Sequence, residues 1–180
     1  MLNVILDIAK NAIKDGFSHT STIDKKALLE LYPELSKLKA TFVTLTLDRQ
    51  LRGCIGSLIA HRTLLDDLIH NAQSAAFEDP RFYPLNPEEF SRIIIEVSLL
   101  SEPELITYEN SDDLKTKVTV GTDGIILQKG SKKATFLPQV WEQLPTFELF
   151  FSHLCQKAGL EPDCLESHPD IWHYKVEKVK

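Results

Sequence analysis

Ala40-Thr41-Phe42-Val43-Thr44-Leu45-Thr46-Leu47, then Asp48-Arg49-Gln50, then Leu51-Arg52-Gly53-Cys54-Ile55-Gly56-Ser57-Leu58, reads as two strands joined by a turn. In the first run Thr41, Val43, Leu45 and Leu47 alternate with Phe42, Thr44 and Thr46, the period-two pattern of a half-buried strand rich in β-branched residues. The polar Asp48-Arg49-Gln50 supplies the turn and the second run returns. On an ordinary strand Arg52, Cys54, Gly56 and Leu58 would share one face. Gly53 and Gly56 bracket the cysteine in a chain with only seven glycines. Glycine inside a strand often marks a bulge or a close approach by ligand or backbone.

Outward from this hairpin the signals alternate without strict order. Ile5, Ile8, Ala9, Ala12 and Ile13 have helical spacing, and Gly16 suits the end of that helix. Lys25 to Leu31 reads as a second short helix, stopped near Pro33. Thr63 and Asp66 resemble a capping box, and Leu64, Leu65, Leu68, Ile69, Ala72, Ala75 and Ala76 mark a helix ending at Asp79, before Pro80. Asn86-Pro87 opens a short helical turn, and Arg92 to Leu100 is a buried strand. Ser111 caps a short helix over Asp112 to Lys117. Gly124 to Gln128 and Ala134 to Leu137 are strands around Lys129-Gly130-Ser131. Thr146 to Gly159 is helical, and one strand through Trp172, Tyr174 and Val176 closes the chain. Strands that mostly neighbour one another, with helices not in regular alternation, indicate an α+β fold.

Composition narrows the class of partner. Of 180 residues, 43% are hydrophobic and 26% charged, which excludes a disordered tail or a coiled coil. The net charge is −6, and the lysine clusters are short and scattered, which argues against nucleic acid and against anionic membrane surfaces. No run approaches the ~20 apolar residues of a membrane span. The first ten residues lack a basic n-region, so no signal peptide is expected. Cys54, Cys155 and Cys164 are an odd number and no disulfide framework, so reduced thiols and a cytoplasmic location are the simplest expectation.

Several segments, in order, resemble one family. They are Ala40 to Leu45, Leu51 to Gly56, Ser74-Ala75-Ala76-Phe77 with Asp79-Pro80-Arg81-Phe82, and Glu96-Val97-Ser98, followed by Thr122-Asp123-Gly124-Ile125, Phe136 to Trp141 and Lys157-Ala158-Gly159-Leu160. This set is similar to the AMMECR family, whose prokaryotic members are called AmmeMemoRadiSam system protein A. The match covers roughly residues 40 to 160. The resemblance implies one domain over residues 1–180. That domain is expected to be two-lobed, with an antiparallel sheet, flanking helices and a cleft near Leu51 to Gly56. The N- and C-terminal segments are expected in the larger lobe. It also implies a partnership with a Memo-like protein and a radical-SAM enzyme. The turn Asp48-Arg49-Gln50 departs from the family in lacking a glycine, which alters the turn type.

The chemistry converges on Cys54. A free thiol ionises near pH ~8.5, and a neighbouring guanidinium lowers that value. One reading is therefore a nucleophilic or redox thiol beside an anion-binding Arg52, with Gly53 and Gly56 keeping the approach open. The other is a small buried residue in a tightly packed sheet, since free cysteine is among the most buried residue types. Asp79 and Arg81 form either a local ion pair or a site in which Arg81 clamps a carboxylate or phosphate. Glu96, within an apolar strand, is solvent-facing or buried with a partner. Asp123-Gly124 is first a turn signal. His61 is a candidate base for Cys54 if the chain folds back. Cys164, His168 and His173 have no standard zinc spacing, so no metal is assigned. No cofactor motif is present.

Two functions follow. The chain is an enzyme or enzyme subunit acting on a small anionic substrate or modified side chain through Cys54, with Arg52 and Arg81 holding the anion. Alternatively it is a non-catalytic ligand- or partner-binding module of the same system. Oligomeric state is not readable from these residues.

Overall fold

The computed structural model describes residues 2–180. The chain divides into two units: residues up to Leu100 together with Glu177–Lys180, and Ser101–Val176. Both contain helices and an antiparallel sheet, so the fold is α+β.

The first unit contains helices α1 (Leu2–Ser18), α2 (Lys25–Leu31), α3 (Leu64–Phe77) and α4 (Pro87–Phe90). Its sheet holds strands β1 (Thr41–Leu47), β2 (Gln50–Gly56), β3 (Ile94–Leu100) and the final strand β8 (Val176–Val179), in the order β2-β1-β3-β8. The expected hairpin is β1–β2, with Leu47 opposite Gln50. Its turn is therefore the two residues Asp48 and Arg49, both with positive φ (51° and 67°). That is the backbone of a type I′ hairpin turn, built here without glycine.

One face of this sheet buries Val43, Leu45, Val97 and Leu99 against α1 and α3, which contribute Ile5, Ile8, Ala12, Leu65, Leu68 and Ala72. Asp67 and Asn71 lie on the same apolar stripe of α3 and are also buried. Asp67 accepts from the Thr41 N–H (2.8 Å) and hydroxyl (2.8 Å), the Ser57 hydroxyl (2.6 Å) and the Asn71 amide (2.9 Å). Asn71 returns a bond to the Thr41 carbonyl (3.0 Å). A buried carboxylate is tolerable only when so fully bonded. This network pins α3 to the start of β1 and to the residue after β2.

Gly16 does not end α1 as expected. It lies inside the helix because a Cβ there would sit 2.3 Å from the Phe77 ring. The left-handed residue is instead His19 (φ 51°). α3 ends at Phe77 with Glu78 as its cap, just short of the expected Asp79.

The second unit has strands β4 (Glu104–Leu105), β5 (Gly124–Lys129), β6 (Lys132–Phe136) and β7 (Asp170–Tyr174) in the order β4-β7-β5-β6. Its helices are α5 (Ser111–Lys117) and α6 (Phe147–Lys157). Its core is Leu114, Ile125, Leu127, Phe150, Phe151 and Leu154, with Trp141 stacked on Phe150 at 3.7 Å between centroids. Asn110, not Ser111, caps α5, its side chain accepting from the Asp113 N–H. The closing segment is two strands, β7 and β8, broken at Lys175. Lys175 instead stitches the two ends of this unit together: the Ser101 N–H reaches its carbonyl, and its own N–H reaches the Ser101 hydroxyl, both at 2.9 Å.

The expectation of three reduced thiols is corrected. Cys155 on α6 and Cys164 form a disulfide, leaving Cys54 as the free cysteine. The helical spacing that placed Cys155 in the core also brings it against Cys164, and an odd count does not prevent two of three from pairing.

Two outcomes are expected. Titration of the unreduced, denatured protein finds one reactive thiol per chain. Reduction then destabilises Ser101–Val176 by about 3 kcal/mol, from the entropy of the short loop it opens. A Cβ at Gly53 would lie 2.1 Å from the Ala75 carbonyl oxygen, whereas one at Gly56 meets the Phe42 ring. Backbone cannot yield as a ring can, so in urea denaturation Gly53→Ala costs about 3 kcal/mol and Gly56→Ala less.

Candidate functional site

Arg52 is the point at which β2 departs from an ordinary strand. Leu45 pairs with Gly53 and Thr46 with Leu51, so Arg52 is an extra, bulged residue. The expected single face of Arg52, Cys54, Gly56 and Leu58 is therefore broken at Arg52, and Leu58 lies beyond the end of the strand. A bulge re-aims its side chain. Arg52 uses Nε and Nη2 to grip Glu89 on α4 at 2.9 and 2.8 Å, and Nη2 also donates to the Tyr83 carbonyl at 2.9 Å. The Glu89 carboxyl is held below its ordinary range by these bonds, against the opposing cost of burial and with help from the Asn86 N–H. Glu89 also completes the capping box with Asn86. That box was half visible in the sequence as Asn86-Pro87, and Asn-x-x-Glu was the signal for the rest.

Cys54 follows the Gly53 contact with Ala75. β2 is an edge strand, and at Cys54 its backbone polar groups face away from β1. The Cys54 N–H donates to Asp79 Oδ2 (2.9 Å), and the Cys54 carbonyl accepts from Arg81 Nη2 (3.3 Å). Asp79 and Arg81 are themselves joined through Arg81 Nε and Nη2 (3.0 and 2.8 Å). The pair thus acts as a short substitute strand, closing an edge that would otherwise be open to another chain. The Arg81 guanidinium, with the Cys54 and Arg81 N–H groups and against the cost of burial, holds the Asp79 carboxyl far below the usual carboxylate range.

The Cys54 side chain is half-buried, with its Sγ 3.3 Å from Thr44 Oγ1. Cys54, Thr44 and Glu96 are register partners across β2, β1 and β3, forming one row on the sheet face opposite the core. Glu96 ends that row in ion pairs with Lys178 (3.2 Å) and Lys180 (2.6 Å). Burial raises its carboxyl pKa, and the two ammonium groups more than reverse this, leaving it lowered. The sequence placed Cys54 and Glu96 separately; their alignment through Thr44 needed the register.

Arg52, Arg81, Phe82, Tyr83, Pro84, Asn86 and Glu89 line a pocket of about 380 Å³. Both guanidinium carbons lie over the Phe82 ring, 5.8 and 5.5 Å from its centroid. Tyr83 at the rim is 91% exposed. Tyr83 and Glu89 were not singled out from the sequence, and Phe82 entered only as the end of Asp79-Pro80-Arg81-Phe82.

The remaining candidates are placed elsewhere. His61 is exposed and its Nδ1 meets the Ile59 carbonyl; among the described residues Cys54 has no hydrogen bond to an imidazole. Cys164 is in the disulfide, His168 stacks on Tyr108, and His173 meets Asp123, so these three do not form a cluster. Asp123, read as a turn residue, is fully buried and binds the Thr119 N–H, His173 and Lys175.

Asp79→Asn is expected to destabilise the protein by about 2 kcal/mol, the cost of weakening charge-assisted bonds. Because the folded carboxyl is depressed, its contribution is full above the unfolded value near 3.8 and fades as pH falls below it. Urea midpoints of wild type and Asp79→Asn should therefore differ at pH 7 and converge toward pH 3 and below. A constant gap across that range would overturn the assignment.

The family model described as AMMECR1 matches residues 6–179. Protein MJ0810 of Methanocaldococcus jannaschii is 40% identical over 147 residues, 77% of this chain and 71% of that protein. A protein of Saccharolobus islandicus is 40% identical over 171 residues, 89% of this chain and 72% of the other. The crystal structure of an uncharacterised protein, PH0010 from Pyrococcus horikoshii, superposes with a TM-score of 0.81 at 33% identity, covering 97% of this chain and 88% of that one.

Proposed function

We propose that this chain, which belongs to the AMMECR1 family, is a ligand- or partner-binding module of an AmmeMemoRadiSam-type system. It works beside a Memo-like protein and a radical-SAM enzyme. The observation that carries this reading is the pocket at the Asp79–Arg81 edge of β2, where two arginines and an exposed tyrosine surround Phe82. Arginine and tyrosine are the residue types that dominate binding energy at interfaces. The Cys54 thiol, by contrast, meets only the Thr44 hydroxyl in its side-chain hydrogen bonding among the described residues, and a nucleophile needs a base or comparable activation.

A second reading keeps Cys54 as the reacting group of an enzyme. It rests on the row Cys54–Thr44–Glu96, which sets a thiol and a carboxylate on one sheet face with a hydroxyl between them.

The two separate in a binding assay with a Memo-like protein and a radical-SAM enzyme from the same organism. Cys54→Ser should bind within about threefold of wild type, and Tyr83→Ala should weaken binding about tenfold or more. Cys54→Ser that binds normally but abolishes turnover by the assembled system establishes the enzyme reading. Failure of the wild-type chain to bind either protein overturns the system proposal.

A further inference from the structure

Building on the module reading above, we propose that the Arg52–Phe82–Arg81 pocket is a recognition site for a singly charged carboxylate. The source is a small carboxylic acid or an acidic side chain of a peptide.

The donors come first. Arg52 and Arg81 each spend Nε and Nη2 on the bonds already described. Among the described residues no hydrogen bond uses Nη1 of either, so each guanidinium keeps its Nη1 N–H groups for a further acceptor. Asn86, whose Oδ1 accepts the Glu89 N–H, keeps its amide donors in the same lining. A carboxylate, with two acceptor oxygens, can take one bond from each of these separate donors.

Charge then selects among anions. Asp79 and Glu89 are both held ionised by their arginines, so each guanidinium is already balanced by one carboxylate, Glu89 in the lining and Asp79 buried behind Arg81. A monoanion adds one charge to a site with spare donors. A phosphate dianion adds two beside two existing carboxylates, at a cost that rises in a half-buried setting. The shape agrees: Phe82 and Pro84 give an apolar wall for the carbon chain behind a carboxylate, and about 380 Å³ suits a ligand of side-chain size.

The test uses the full-length ¹⁵N-labelled protein at fixed ionic strength. Acetate, butyrate, a blocked pentapeptide with one central glutamate, and inorganic phosphate are titrated separately. The readouts are the side-chain Nε–H signals of Arg52 and Arg81 and the amides from Arg81 to Glu89. The expected result is a saturable shift of both arginine signals with the carboxylates, at affinity at least about tenfold above phosphate. A tighter peptide than butyrate identifies a polypeptide source, and the reverse a small acid. Phosphate binding as tightly as the carboxylates, or shifts that never saturate, overturns the proposal. Wild-type signals carry this result, so it survives if Arg81→Gln fails to fold. Arg81→Gln, if folded, should weaken carboxylate binding about tenfold while Arg81→Lys retains part of it. Carboxylate binding lost with partner binding intact sinks this inference alone. Carboxylate binding by a chain that binds neither protein partner sinks the system reading alone.

Discussion

β2 lies against α3 at a separation that only a residue without a Cβ permits, with Gly53 directly over the Ala75 carbonyl. Much of the site follows from that contact. It sets the edge strand close to the end of α3, where Asp79 and Arg81 reach the Cys54 peptide. The bulge at Arg52 then turns the chain toward α4 and Glu89. Two stretches that lie some twenty residues apart in the chain, Leu51 to Gly56 and Ser74 to Phe82, are in this sense one piece of structure. The arginines that line the pocket are the same ones that hold the strand, so recognition and stability share side chains.

The outline of the fold was legible because the signals were local and strong. β1 was visible in its alternation, α2 in its bounds, and α3 in its cap and apolar stripe. What escaped was tertiary. Gly16 carried the local signature of a helix end, yet its place was decided by the ring of Phe77, sixty-one residues later in the chain. The last strand read as one because Trp172 to Val176 alternate without interruption, while Lys175 divides them between two sheets. The Cys155–Cys164 pairing could not be told from a count of three.

The site was legible as residue types and not as relations. Arg52, Cys54, Asp79, Arg81 and Glu96 are all where chemistry would want them, but the carboxylate partner of Arg52 was missed and the bulge was not foreseen. Asp67 and Asn71 were overlooked although polar residues four apart on an apolar helix face are themselves a signal. A carboxylate and an amide at core positions must have partners, and Thr41 and Ser57 are those partners.

The chain leaves its first sheet at Leu100 and returns to it only with β8, at the very end. During synthesis, β3 must therefore wait for the whole of Ser101–Val176 before its outer neighbour exists. For that interval Ile94, Ile95, Val97, Leu99 and Leu100 form an open apolar edge, the kind that invites aggregation. Glu96 is the one charge within that strand. A single carboxylate at the middle of a sticky edge acts as a gatekeeper while the polypeptide is incomplete. Once Lys178 and Lys180 emerge, the same group becomes their docking point. In the finished fold Glu96 thus marks, with its two lysines, the edge that β8 covers.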